Sequence, residues 1–140
     1  MLLYFKDPWK VRNDYIHVIL DPSEENKSRI LWAQSPKGLP SVDREKIIDL
    51  LEMQRNAMYM YTSCGWFFDD ISGIESVQIL RYAARAMELA KKIDGNDLEK
   101  EFLNRLSSAK SNIPEMKDGK RIYNTYIKSF MVAAAKKNNV

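Results

Sequence analysis

The chain has 140 residues and a formal net charge of +3, with 45% hydrophobic and 29% charged residues. This length is enough for one well-buried core, but a complete β/α barrel needs about 200 residues or more and is excluded. The composition is that of a folded domain and excludes a disordered chain.

The excess of basic residues raises the question of nucleic-acid binding. Lysine and arginine are spread along the second half of the chain with acidic residues between them, which is typical of solvated helix faces. No nucleic-acid partner is therefore expected. The first ten residues are too short and too aromatic for a signal peptide, and no apolar run approaches the roughly 18 residues of a membrane span. A cytoplasmic protein without a membrane partner is expected.

Cysteine and histidine occur once each, as Cys64 and His17. A disulfide within the chain is impossible, and a His/Cys metal cluster is excluded. No metal and no other cofactor is expected. Cys64 has aromatic neighbours and no nearby cation, so it is expected to be buried and inert.

Capping residues and helical spacing predict three helices in the first half of the chain. Asp7 and Pro8 begin the first, Ser23 caps a second over residues 24–34, and Ser41 caps a long third over 42–62. One apolar stripe of the third helix is expected to face inward; it comprises Ile47, Leu50, Met53, Ala57 and Met60.

The second half predicts three more helices. Ser72 is expected to cap the fourth (74–93), with Glu75 at capping-box distance, and Gly95 to end it in a left-handed conformation. Asn96 is expected to cap the fifth helix, and a sixth follows over 120–136. No strand pattern is found. The prediction is an all-α fold: about six helices in an irregular antiparallel bundle, as a single helical domain over residues 1–140.

Residues 61–75, YTSCGWFFDDISGIE, form an unusual connector between the third and fourth helices. Connectors normally carry small polar residues, whereas this one has three bulky aromatics that require a cover and two adjacent carboxylates that require water or a partner. Aromatic faces beside carboxylates are what a sugar site needs. The alternative is a loop that plugs the core and whose aspartates cap the next helix.

The stretch LLEMQRNAMYMYTSCGWFFDDISGIESVQILRYAARAMELA (50–90) resembles the C-terminal helical region of glycoside hydrolase family 57 proteins, in the subgroup that carries a C-terminal domain of unknown function. RNDYIHVILDPSEEN (12–26) is similar to the same region. The resemblance implies a parent enzyme that acts on α-glucans with retention, whose catalytic barrel lies N-terminal to this region. No segment here resembles the catalytic motifs, so no catalytic residue is assigned.

By this resemblance the chain is a fragment of a larger glycoside hydrolase and helps to shape the sugar cleft. Its expected partners are the catalytic barrel and an α-glucan or oligosaccharide. The substrate-binding candidates are Trp66, Asp69, Asp70 and Glu75. One aspartate is expected to face the cleft, with Asp70 preferred, and the other to cap a helix or to pair with an arginine such as Arg55.

Alone, the chain is expected to be inactive, because six short helices seldom enclose the pocket in which a carboxylic acid is desolvated. It is expected to be a monomer or a weak homodimer. A helical interaction or scaffold domain with a purely structural aromatic loop is the alternative. The glucan linkage and the choice between hydrolysis and transfer stay open.

Overall fold

The structure, a computed structural model, describes residues 4–35 and 39–129, and this part of the chain contains six α-helices. They are α1 Pro8–Leu20, α2 Glu24–Ile30, α3 Ser41–Tyr59, α4 Ile74–Asp94, α5 Glu99–Leu106 and α6 Gly119–Ile122. Two 3-10 turns cover Trp32–Gln34 and Ser63–Trp66, and a π-helical segment, Tyr123–Lys128, continues α6. These residues contain no strand. The prediction of an all-α fold is confirmed.

The chain forms two compact units, Met1–Glu52 and Met53–Val140, and their boundary falls within α3. Each unit has its own hydrophobic core. The expectation of one domain over residues 1–140 stays a prediction.

The first unit is built around α1 and α2. Asp7 accepts a hydrogen bond from the Lys10 backbone (3.0 Å), which caps α1 as predicted. The buried Asn26 amide donates to the carbonyls of His17 and Asp21 (2.8 and 2.7 Å), so it satisfies acceptors that the end of α1 leaves open. The core contains Phe5, Val11, Tyr15, Val18, Leu31, Ile47 and Leu51.

The second unit is built around α4, which ends at Gly95 with φ of 78°, the left-handed conformation predicted for that glycine. The buried Tyr123 donates its hydroxyl to Glu99 Oε1 (3.2 Å), and burial raises the pKa of Tyr123. The core contains Val77, Leu80, Ala84, Leu103, Ile122, Tyr123 and Ile127.

Several predicted helix limits differ from the structure. α3 ends at Tyr59, three residues early, because Tyr61 and Thr62 bond back to Met58 and Tyr59 across a tighter turn. The prediction that Asn96 caps the fifth helix was wrong. The Asp97 carboxylate accepts a hydrogen bond from the Glu99 amide (3.2 Å), and α5 begins at Glu99. The end of the predicted sixth helix, residues 130–136, lies outside the described residues.

Candidate functional site

The connector leaves its aromatic side chains uncovered by the rest of the described chain. Trp66 is 76% exposed and Phe67 80% exposed, and Phe68 is also exposed. The rings of Phe67 and Phe68 meet edge to face, with 5.2 Å between their centroids. These residues were expected to need a cover, and the described residues do not supply one, because the connector holds them on the surface. Their faces are available for a ligand or a partner.

A fixed turn presents Trp66. The 3-10 turn Ser63–Trp66 packs on α4, and Gly65 makes this close approach possible. A Cβ on Gly65 would lie only 2.1 Å from Ile79 Cδ1. Because the turn fits against α4 at this point, the indole is displayed from a packed element.

Asp70 joins the connector to the loop that follows α5, and we call this set of contacts the Asp70 latch. Ser111 Oγ lies 3.0 and 2.9 Å from the two carboxylate oxygens. The Ser72 amide donates to Oδ1 (2.8 Å), and the Asn112 amide donates to Oδ2. Hydrogen bonds from Ser72, and then from Asn112 and Ser111, lower the pKa of Asp70 to about 2. Asp70 is therefore ionised at neutral pH and cannot serve as a general acid.

The carboxylate of Asp69, unlike that of Asp70, is not held by hydrogen bonds from the described residues. The Asp69 side chain is exposed. Only its backbone carbonyl is engaged, by Asn112 Nδ2 at 2.8 Å. The two aspartates do take different roles, as expected, but the one preferred for the cleft, Asp70, is committed to the latch. Arg55 places its guanidinium over the Tyr59 ring, 5.4 Å from the centroid.

Glu75 lies in the first turn of α4 and is half-buried. A carboxylate is favourable there because it faces the positive end of the helix dipole. The predicted Ser72 cap was wrong: Gly73 is the N-cap, without a side-chain hydrogen bond. The reason is local, since the Ser72 amide is already bound by Asp70 and the helix begins one residue later than a Ser72 cap requires.

Cys64 is exposed, so the prediction of a buried thiol was wrong. The prediction rested on its aromatic neighbours, and the structure turns those neighbours outward with it. Within the described residues no group of three or more His, Cys, Asp or Glu side chains is arranged to hold a metal ion. No helix in this part of the chain combines the length and the apolar character that a bilayer crossing needs.

Two features of the second unit were missed from the sequence. The Ser111–Asn112 pair lies in a stretch with only loop signals, and its partner is 41 residues away. A groove of about 420 Å³ lies between α3, α4 and α5. Met53, Ala57 and Met60, which were expected to face a core, are half-buried along this groove.

The site therefore combines exposed aromatic faces, an Asp69 carboxylate to which no described residue hydrogen-bonds, and the Asp70 latch, which holds the backbone directly after them. No curated protein and no solved structure matches the chain. The model of a domain family of unknown function, DUF3536, matches residues 1–138. The match covers nearly the whole chain, and the protein belongs to the DUF3536 family.

Proposed function

We propose that this chain is the helical accessory region of a family 57 type glycoside hydrolase that acts on α-glucans. In this proposal it shapes the sugar cleft beside a catalytic barrel that the 140 residues do not contain. The proposal starts from the resemblance of residues 50–90, and the family match itself names no activity. The cytoplasmic location expected from the sequence belongs to the same proposal.

The observation that carries the proposal is that Trp66, Phe67 and Asp69, close together in the sequence, all have exposed side chains, and that no described residue hydrogen-bonds to the Asp69 carboxylate. A glucose ring offers a flat face of C–H groups, which stacks on an aromatic ring, and hydroxyls, which donate to a carboxylate. Aromatic side chains that served only to pack the hydrophobic core would be buried.

Each candidate residue takes a distinct part in this arrangement. Trp66 supplies the stacking face, and Asp69 accepts a hydrogen bond from a sugar hydroxyl. Asp70 is a positioning residue, because its latch fixes the connector while its own oxygens are occupied. Glu75 is proposed at the edge of the cleft, on the first turn of α4.

In this proposal the residues that cleave the glycosidic bond lie in the barrel. A retaining glycosidase needs two carboxyl groups about 5 to 5.5 Å apart, one of which holds a proton at working pH. Asp70 cannot fill that role with a pKa of about 2. The chain alone is therefore proposed to be inactive.

The alternative expected from the sequence is a helical interaction or scaffold domain with a purely structural aromatic loop. The exposure of Trp66 and Phe67 favours a different form of it, in which these aromatics contact another protein. The same exposure supports it, so the two candidates differ in what Trp66 touches. A sugar site needs both the ring and the Asp69 carboxylate, whereas a protein contact needs mainly the apolar surface.

The deciding experiment measures α-glucan turnover by the product of the complete coding sequence. Trp66→Ala and Asp69→Asn should each lower turnover by about tenfold or more, since a lost stacking or hydroxyl contact of about 1.4 kcal/mol in the transition state has that effect. Their circular dichroism and melting should match the wild type. Val42→Ala, at another highly exposed position, is the matched control and should leave turnover unchanged.

Two results would contradict the sugar-cleft proposal. The first is unchanged turnover in both Trp66→Ala and Asp69→Asn. The second is micromolar oligosaccharide binding by the 140 residues alone, because half a cleft should bind only in the millimolar range or not at all.

A further inference from the structure

The groove between α3, α4 and α5 is lined mainly by apolar side chains. Met53 and Met60 line it from the end of α3 and the turn that follows, Met87 from α4, and Leu98 and Phe102 from α5 and the residue before it. All of its described lining residues belong to the second unit. Contact between water and apolar side chains is unfavourable, and a contiguous apolar surface of this kind indicates a binding site.

The lining offers a ligand few hydrogen-bond partners. Ala83, Ala86 and Ala90 lie inside α4, where backbone amides and carbonyls bond to each other along the helix. Among the described lining residues only Glu101 and Arg105 are charged, and they pair with each other at 2.6 Å. A sugar, a nucleotide or a peptide needs partners for its polar groups when it leaves water. The buried part of a ligand in this groove is therefore a hydrocarbon.

The volume of the groove decides between a macromolecule and a small molecule. The groove measures about 420 Å³, and one turn of an α-helix with its side chains fills roughly 400 Å³ or more. A partner protein would insert only about one helical turn, whereas a stable interface takes roughly 20–30 residues from each side. Pockets for small molecules measure about 300 to 1,000 Å³. The groove therefore has the size of a small-molecule site, and it is too small to hold a second copy of the chain or another protein.

The shape of the groove favours a single extended chain. Its lining residues extend from Ala83 to Ala90 on α4 and from Leu98 to Arg105 along α5. Seven residues of helix rise about 10 Å, so the groove is elongated. At about 30 Å³ for each water-sized unit, its volume holds roughly 14 non-hydrogen atoms, the number in an aliphatic chain of about twelve carbons with a small head group. The methionine side chains are unbranched and flexible, so they can adapt to such a chain.

We propose that this groove binds a free, single-chain aliphatic molecule of about twelve carbons, of the chemical class of the fatty acids. The chain lies among the methionine and alanine side chains, and the head group stays in water at the rim. Glu101 and Arg105 mark the rim, because their side chains are mostly exposed. The groove shares no lining residue with the connector, so this site does not depend on the proposed sugar cleft.

The test follows methionine methyl groups by NMR, in the product of the complete coding sequence, while dodecanoate is added. The methyl signals of Met53, Met60 and Met87 should shift together, with a dissociation constant of roughly 10–100 µM. Met116 packs against the core of the same unit and is the internal control, whose signal should not shift.

Chain length and a filled groove separate burial of the chain from contact with the head group. Each methylene that leaves the groove should weaken binding about fourfold, so decanoate should bind about fifteenfold more weakly than dodecanoate. Ala86→Phe places a ring in the groove and should weaken dodecanoate binding by about tenfold or more. Val42→Phe introduces the same residue at a highly exposed position of the first unit and should bind as the wild type does.

Three results would overturn the aliphatic site. The first is unshifted signals of the groove methionines in the wild type at submillimolar dodecanoate, a measurement that needs no variant to fold. The second is equal affinity for decanoate and dodecanoate, or unchanged affinity in a folded Ala86→Phe variant, because the chain would then lie elsewhere. The third is a dependence of the groove methionine signals on protein concentration without ligand, which would identify a second copy as the occupant.

Discussion

Asp70 shows how two neighbouring residues of one type can have different roles. Its oxygens accept hydrogen bonds from Ser72, Ser111 and Asn112, whereas no described residue binds the carboxylate of Asp69. The pair Asp69–Asp70 is visible in the sequence, and so is the argument that the two side chains diverge. Which of them is engaged depends on Ser111 and Asn112, and no local pattern links those residues to the connector.

The latch predicts a specific dependence of stability on pH. The pKa of Asp70 falls from 3.8 to about 2 on folding, so its contribution to stability is complete above about pH 4 and is lost as the pH falls through 2. The difference in unfolding free energy between wild type and Asp70→Asn should therefore shrink between pH 4 and pH 2. Urea denaturation at a series of pH values measures it.

Asp69→Asn is the matched control for this measurement, because it removes the adjacent carboxylate without touching the latch. Its stability should follow that of the wild type across the same range. A constant difference between wild type and Asp70→Asn down to pH 2 would show that the carboxylate is not held by these bonds in solution.

At the scale of elements, capping residues predicted helix starts well where no stronger acceptor competed. Asp7 and Ser23 cap α1 and α2 as expected. Three predicted caps were wrong. Ser41 is itself the first residue of α3, whereas Ser72 and Asn96 each lie near an aspartate whose carboxylate accepts a backbone amide. A carboxylate is the stronger acceptor, and its preference depends on a few ångströms of geometry that residue type does not convey.

Gly119 lies at a close contact between α5 and α6 that a substitution can test. A Cβ there would lie 2.7 Å from Leu106 Cγ and 2.9 Å from the Leu106 carbonyl oxygen, and the carbonyl cannot move without shifting the end of α5. We expect Gly119→Ala to destabilise the protein by about 1–3 kcal/mol, although alanine is the better helix former. Chemical denaturation measures the loss.

Lys120→Ala changes the next residue of the same turn, which is exposed, and should alter stability by less than about 0.5 kcal/mol. If Gly119→Ala proved neutral or stabilising, α5 and α6 would not pack as closely as the structure shows.

At the scale of the whole molecule, the helical class was predictable because apolar spacing and turn residues agree along most of the chain. The two separate cores were not predicted. Their boundary falls within α3, whose sequence has continuous helical spacing and no linker residues. The spacing of the apolar residues shows which of them lie on the same face of a helix, but it does not show which of them share a core.

The Asp70 latch also has a consequence for the order in which the molecule folds. It joins residues 41 positions apart, and α4 and α5 lie between them. The entropy of closing that loop is lost before the latch bonds form, unless the two helices have already shortened the path. We expect the latch to form after the rate-limiting step, so that Ser111→Ala accelerates unfolding in stopped-flow measurements and leaves the refolding rate nearly unchanged. A slowed refolding limb with unchanged unfolding would place the latch in the folding nucleus.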